Sequence, residues 1–236
     1  MPDPAPFLRA EWRWLVMLNY EVDAAIVHPH VPAGTEIDFW NGKTYVSLVG
    51  FLFLRTRVKG IPIPFHRNFE EVNLRFYVRH KAGEEWRRGV VFIKEIVPRW
   101  AIAWVARTLY NENYVSLPMR HHVAGDEFRY SWHFNGKSNH LGVLRRGEPL
   151  PAEPGSEEEF ITEHYWGYTA QADGSSLEYR VEHVPWRVWQ TTDTNVDVWA
   201  ADLYGPEFVE PLARRPSSAF LAEGSPVTVY RGRRLR

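Results

Sequence analysis

Phe69–Val78 reads FEEVNLRFYV, and its periodicity decides the fold. At period two, Val72, Leu74, Phe76 and Val78 share one face, while Glu71, Asn73, Arg75 and Tyr77 share the other. That alternation predicts a β-strand with one buried apolar face. The second face is unusual. It sets an acid, an amide, a guanidinium and a phenol in one row, at steps of about 7 Å. Such a row either faces solvent or lines a polar cavity, and much of the function turns on which.

Strand text extends on both sides. Trp12–Asn19 predicts a first strand, and Glu36–Phe39 and Thr44–Phe53 predict two more joined at Asn41-Gly42, a dipeptide suited to a two-residue hairpin turn. Val22–His30 suggests a short helix with Asp23 near its start, ended by Pro29 and Pro32. Arg88–Val97 is the expected hairpin partner of Phe69–Val78, and a helix is expected from Pro98 to about Tyr110. Phe128–Phe134 alternates cleanly and turns at Asn135-Gly136. Phe160–Tyr168 and Leu177–Val184 are expected to pair around Asp173-Gly174, and Val227–Tyr230 ends the strand pattern. Arg55–Asn68 holds Gly60, Pro62 and Pro64 and is expected to be a loop, either a binding loop or a plain surface excursion.

These elements predict one mainly β domain over residues 1–236, with a loose arm at 1–10, an exposed loop at 147–159 and a basic tail at 231–236. The chain of 236 residues is long enough for a sizeable core. Its aromatic side chains, 11 Trp, 11 Tyr and 13 Phe, suit a β-rich interior. A net charge of -1 gives no electrostatic case for nucleic acid or an anionic membrane surface. No run is long and apolar enough for a membrane helix, the N-terminus has no signal-peptide pattern, and a cytoplasmic protein is expected. Exposed aromatics on strands make a homodimer plausible. With no cysteine, thiolate metal sites, disulfides and cysteine nucleophiles are excluded. No cofactor motif, phosphate loop or serine-hydrolase signature is present.

Five segments in order carry a resemblance. NYEVDAAIVHPHVPAGTEIDFWNGKTYVSLVGF, NFEEVNLRFYV, RRGVVFIKEIVPRWAIAWVARTLYNENYVSLPM, FITEHYWGY and VEHVPW together resemble the YqjF-like family of uncharacterised bacterial proteins, DUF2071, over roughly residues 19–230. That family is similar to the acetoacetate decarboxylase superfamily. The resemblance implies a closed, cone-shaped antiparallel β-barrel with a few short helices and a polar pocket inside. The decarboxylases use a lysine imine, with the lysine pair in a motif of the form G-R-E-x-x-G-x-P-K-K. Its best match here is Ala106–Val115, in which Arg107 is kept and the two lysines become Tyr114 and Val115. Neither can form an imine. A pocket glutamate in a Y-x-E strand motif matches Phe69-Glu70-Glu71, so the resemblance singles out Glu71 and turns the polar row inward.

The candidate site is therefore Glu71 as acid or base, with Asn73, Arg75, Arg107, Tyr114, His164 and His183 as ligand-binding residues. Arg75 suits a carboxylate or carbonyl, and a histidine moves protons near neutral pH. On a strand only one of His164 and Tyr165 can face the pocket. Each choice has a bland competitor: the row as a structural network, the histidines as hydrogen-bonded core. Only five lysines are present, Lys43, Lys59, Lys81, Lys94 and Lys137, and Lys94 alone lies within an apolar strand. Beside Glu95 it is more simply a solvated residue. His121-His122, His133 and His140 fit no metal spacing. The expected function is the binding of a small polar carbonyl or carboxylate compound without imine chemistry. The alternatives are acid/base chemistry alpha to a carbonyl, and a structural protein whose interior is filled.

Overall fold

The computed structural model describes residues 5–98 and 113–235. The first half contains β1 (Pro6–Val22), β2 (Glu36–Ile37), β3 (Thr44–Val58), β4 (Ile61–Pro62), β5 (Phe69–Ala82) and β6 (Glu85–Val97). The second contains β7 (Tyr114–Ser116), β8 (Met119–Ala124), β9 (Glu127–Phe134), β10 (Lys137–Pro151), β11 (Trp166–Ala170), β12 (Ser176–Glu182), β13 (Arg187–Asp197), β14 (Ser218–Tyr230) and β15 (Arg233–Arg234). Short α-helices lie at α1 (Ala24–Val27), α2 (Glu157–Thr162), α3 (Ala200–Tyr204) and α4 (Val209–Ala213). Among the described residues no helix is long and apolar enough to cross a membrane.

Neighbouring strands run β12-β11-β6-β5-β3-β1-β14, and β14 pairs back onto β12 at Val181↔Val229, closing a ring. The ring is not antiparallel throughout, as the resemblance implied. β11 meets β6 in parallel at Trp166↔Gly89 and Gly167↔Val90, because β11 arrives after a long excursion rather than by a hairpin.

The two faces of β5 lie in different cores. Val72, Leu74, Phe76 and Val78 point outward, where Phe128, Tyr130 and Trp132 of β9 and Leu141 and Val143 of β10 cover them. Gly50 of β3 permits this approach: a Cβ there would lie 2.7 Å from the Tyr130 ring. The polar face points into the ring, among Leu15, Met17, Val49, Phe51, Phe53 and Phe69. Burial of large apolar side chains at about 1.5–3 kcal/mol each makes both faces costly to turn over.

Three bulges re-aim side chains. In β1, Trp14 (φ 59) breaks the alternation, so Trp12 and Leu15 both belong to the inner face. In β3, Arg55 (φ 55) does the same between Phe53 and Thr56. In β6, the register slips between Leu74↔Lys94 and Arg75↔Phe92, leaving Ile93 as the extra residue. Extra residues of this kind bend a strand and reverse the facing beyond them.

The Asn-Gly turns form as expected, with positive φ at Asn41, Gly42, Asn135 and Gly136, the geometry of a type I′ turn. Asp23 caps α1 by accepting from the Ala25 amide at 2.8 Å. Several expectations need correction. Glu36–Ile37 does not pair with β3 across Asn41-Gly42; it pairs with Val78–Arg79 of β5. The arm at 1–10 is not loose from Pro6 onward, since Leu8 and Arg9 pair with both β14 and β3 and Ala10 pairs with β14. The stretch 147–159 is not one open loop. β10 runs through it to Pro151, and α2 starts at Glu157 with Ser156 as its cap. Phe160–Thr162 are helical, so the hairpin with β12 begins only at Trp166. The basic tail is tied down. Arg233 and Arg234 pair with Glu178 and Leu177, and Arg233 Nε sits 2.7 Å from the buried Glu178 carboxylate. Residues 99–110 of the helix expected at Pro98–Tyr110, Arg107 among them, lie outside the described residues.

Candidate functional site

The ring encloses a cavity of about 290 Å³. Phe69, Glu71, Asn73 and Arg75 follow one another down its wall along β5. The strand register gives the cavity an axis. Phe53↔Phe69 and Phe51↔Glu71 mark its upper part, and Val49↔Asn73 and Ser47↔Arg75 its lower part. Tyr77 continues the row beyond the cavity, its hydroxyl donating to Ser47 Oγ at 2.6 Å while Ser47 donates to Asn19. The row is therefore buried on the wall of a cavity inside the ring rather than set on the outer surface.

Glu71 is 2% exposed. Its Oε1 accepts from Asn73 Nδ2 at 3.1 Å and its Oε2 from the Tyr114 hydroxyl at 3.2 Å. Burial pushes its carboxyl up to about 7; the hydrogen bonds from Asn73 and Tyr114 and the Arg75 charge pull the other way without cancelling it. Tyr114 reaches this position from β7, which lies parallel beside β6 with Glu95↔Tyr114 in register.

Arg75 donates from Nη2 to the Ile161 carbonyl at 3.3 Å. That carbonyl belongs to the last turn of α2, where helix carbonyls lack internal partners and attract cations. The Arg75 Nε is buried with no hydrogen-bond partner among the described residues. His164 follows directly after the helix. Its Nε2 lies 3.3 Å from Asp38 Oδ2, and Arg88 Nε lies 2.7 Å from the same oxygen. Burial alone would raise the Asp38 pKa, but the hydrogen bonds from His164 and Arg88 outweigh it and hold the carboxyl low. An ionised Asp38 only accepts, so Nε2 carries the proton that bridges them. Burial brings the His164 pKa down to about 4, leaving the ring neutral with Nδ1 as its acceptor atom.

Of the sequence candidates, Glu71, Asn73, Arg75, Tyr114, His164 and His183 all line the cavity. Tyr165 does not; it bonds Glu163 and packs on His183. His183 is half-buried just beyond β12 and stacks on Trp186 at 4.3 Å between ring centres. The His121 and His122 side chains are engaged separately, by Glu70 and Glu127.

Asp38, Arg88 and Glu95 carried no sequence signal toward the site. Glu95 served only as a reason to think Lys94 solvated, yet Glu95 is 2% exposed and lines the cavity. The bulge at Ile93 is the cause. Strict alternation from Val90 and Phe92 would aim Lys94 inward; the extra residue turns Lys94 out, where Nζ donates to Asn113 Oδ1 at 2.8 Å, and brings Glu95 in. All five lysines are described, and none lines the cavity.

The fold and the cavity together define a class: a mainly β protein built like acetoacetate decarboxylase. The likeness to the Legionella pneumophila acetoacetate decarboxylase has a TM-score of 0.70 at 13% identity, over 99% of this chain and 89% of that one. The enduracididine biosynthesis enzyme MppR, in a complex with pyruvate, gives 0.69 at 13% identity over 100% and 92%. At such identities the likeness is one of fold. In sequence, the chain is 29% identical over 203 residues to the uncharacterized protein YqjF of Bacillus subtilis (strain 168), covering 84% of this chain and 81% of that one. The DUF2071 profile, described as an uncharacterized conserved protein, matches residues 9–226, and the chain belongs to that family.

Proposed function

We propose that the ring is a small-molecule-binding barrel whose ligand presents a carbonyl or carboxylate to Arg75, Asn73 and Glu71, without imine chemistry. The observation that carries this reading is the convergence of those three side chains on a cavity inside the ring that no lysine lines. A guanidinium with an unused Nε, held at one end of the row, suits an oxygen anion or a carbonyl. The pyruvate complex of MppR, a protein of the same fold, supports an oxo acid as the first ligand to try.

A thermal-shift screen of the full chain against small 2-oxo acids and carboxylates tests the reading. Ligand at a hundred times its Kd is expected to add about 2.7 kcal/mol to the native state. Arg75→Met, which keeps the bulk and removes the charge, is expected to abolish that response. An unchanged response in Arg75→Met would remove Arg75 from the site. Borohydride trapping with the same compounds is expected to leave Lys94 unmodified, and a covalent adduct there would overturn the exclusion of imine chemistry.

A second reading rests on Glu71 itself. A carboxyl near pKa 7 in a cavity is suited to both taking and returning a proton at neutral pH. In that reaction Glu71 removes a proton alpha to a carbonyl and Arg75 holds the resulting enolate oxygen; the proton on Glu71 exchanges with solvent, and a solvent-derived proton is returned to the alpha carbon. In deuterated buffer, catalysed exchange of the alpha proton of a bound ketone or oxo acid, lost in Glu71→Gln, is the expected result. Exchange at the uncatalysed rate would leave binding alone.

A further inference from the structure

The polar row occupies a small part of the cavity wall; most of it is hydrocarbon. Above Glu71 the lining is an aromatic throat. Phe53 stacks on Phe69 at 4.7 Å and 11°, and Trp12 meets Phe51, Phe53 and Trp186 edge-on at 5.5, 5.7 and 6.2 Å. Nearer the mouth, Leu8, Val58 and Ile63 continue the apolar wall, with Leu8↔Val58 in register between β1 and β3. Glu71 and Asn73 are each 2% exposed and Arg75 is 8% exposed, so the polar end offers a ligand little more than one contact zone. A volume of 290 Å³ holds on the order of ten water-sized groups at about 30 Å³ each. A three-carbon oxo acid would satisfy the polar end and leave the throat empty. Apolar walls of this extent are stabilised by an apolar occupant, and rings prefer offset or edge-on partners such as these.

We propose that the ligand is an amphiphile: a carboxylate or carbonyl head set against Arg75, Asn73 and Glu71, joined to an apolar body of about ring size that fills the throat formed by Trp12, Phe51, Phe53, Phe69 and Trp186. The inference rests on the head-group reading above and adds the body.

Calorimetric titration of the full chain separates the two. The probes are pyruvate, phenylpyruvate, 3-phenylpropanoate and ethylbenzene, with a ladder of straight-chain carboxylates from butanoate to octanoate. Phenylpyruvate is expected to bind at least 30-fold more tightly than pyruvate, and each methylene of the ladder is expected to tighten binding about fourfold until the throat is full. Val58→Trp, a half-buried wall position filled rather than emptied, is expected to weaken phenylpyruvate at least tenfold and leave pyruvate within twofold. The ladder needs no variant, so a misfolded Val58→Trp does not remove the test. Equal affinity for pyruvate and phenylpyruvate, with a flat ladder, would overturn the apolar body and leave the head-group reading standing. Ethylbenzene binding as tightly as 3-phenylpropanoate would overturn the amphiphile and the head-group reading with it. Failure of every acid and ketone to bind would overturn both.

Discussion

Glu71→Gln is expected to gain stability relative to the wild type as pH rises from about 4.5 to about 7, by on the order of 3 kcal/mol across that window. The folded Glu71 carboxyl holds its proton up to about 7, whereas in the unfolded chain it ionises near 4.5. Between those values the native state binds the extra proton, so stability falls as pH rises. Gln cannot ionise and removes that slope. His164 has the opposite sense. Its folded pKa of about 4 lies below the unfolded 6.5, so the unfolded state binds the extra proton. Its contribution is therefore present above pH 6.5 and lost as pH falls toward 4. In the wild type the two slopes, each about 1.4 kcal/mol per pH unit, oppose one another between roughly 4.5 and 6.5. His164→Asn is expected to be less stable at neutral pH, with a deficit that shrinks on acidification. Urea denaturation at half-unit steps from pH 4 to 8 reads both tilts. Parallel curves for wild type and Glu71→Gln would mean that Glu71 titrates like an exposed carboxyl, and acid/base chemistry through it would lose its support.

That opposition between two buried groups was half legible in the sequence. The alternation of Phe69–Val78 set Glu71, Asn73 and Arg75 on one face, and all three share the cavity wall. The family resemblance turned that face inward. The Asn-Gly turns and the Asp23 cap were visible because turn and cap chemistry is local. His164 was also named, but for a wrong reason. Strand alternation was the ground for letting only one of His164 and Tyr165 face the pocket, whereas both lie in the link between α2 and β11. Its partner Asp38 is 126 positions away in the chain, and no spacing rule connects them. The bulges at Trp14, Arg55 and Ile93 were hidden because their left-handed or extra residues are not glycines. Each flips the facing beyond it, which is why strict alternation failed to bring Glu95 inside. The aromatic throat is likewise a product of the bulges in β1 and β3, which bring Trp12 and Leu15, and Phe53 and Thr56, to the same interior.

Gly89→Ala is expected to destabilise the protein by about 3 kcal/mol, toward the upper end of overpacking costs. Gly89 sits where β6 meets β11 in the parallel seam of the ring, opposite Trp166. A Cβ there would lie 2.5 Å from the Trp166 carbonyl oxygen and 2.6 Å from the Tyr168 ring. The nearer atom is backbone, so no rotamer change relieves it and the seam must part. Among the described residues two strand pairs, Trp166↔Gly89 and Gly167↔Val90, form that seam, with the Tyr168 hydroxyl donating to the Arg87 carbonyl at 3.2 Å beside them. Gly42 provides the contrast. Its φ is +77, but nothing lies within 4 Å of its Cβ position, so Gly42→Ala carries only conformational strain of about 1 kcal/mol. Parting the seam has a second expected consequence, because His164 lies two residues before Trp166 and would lose with the seam the burial that holds its pKa down. Gly89→Ala is therefore expected to lose the His164 slope in the pH series as well as overall stability, whereas Gly42→Ala keeps it. A Gly89→Ala protein within 1 kcal/mol of wild type and with the slope intact would show that the ring does not depend on this closure.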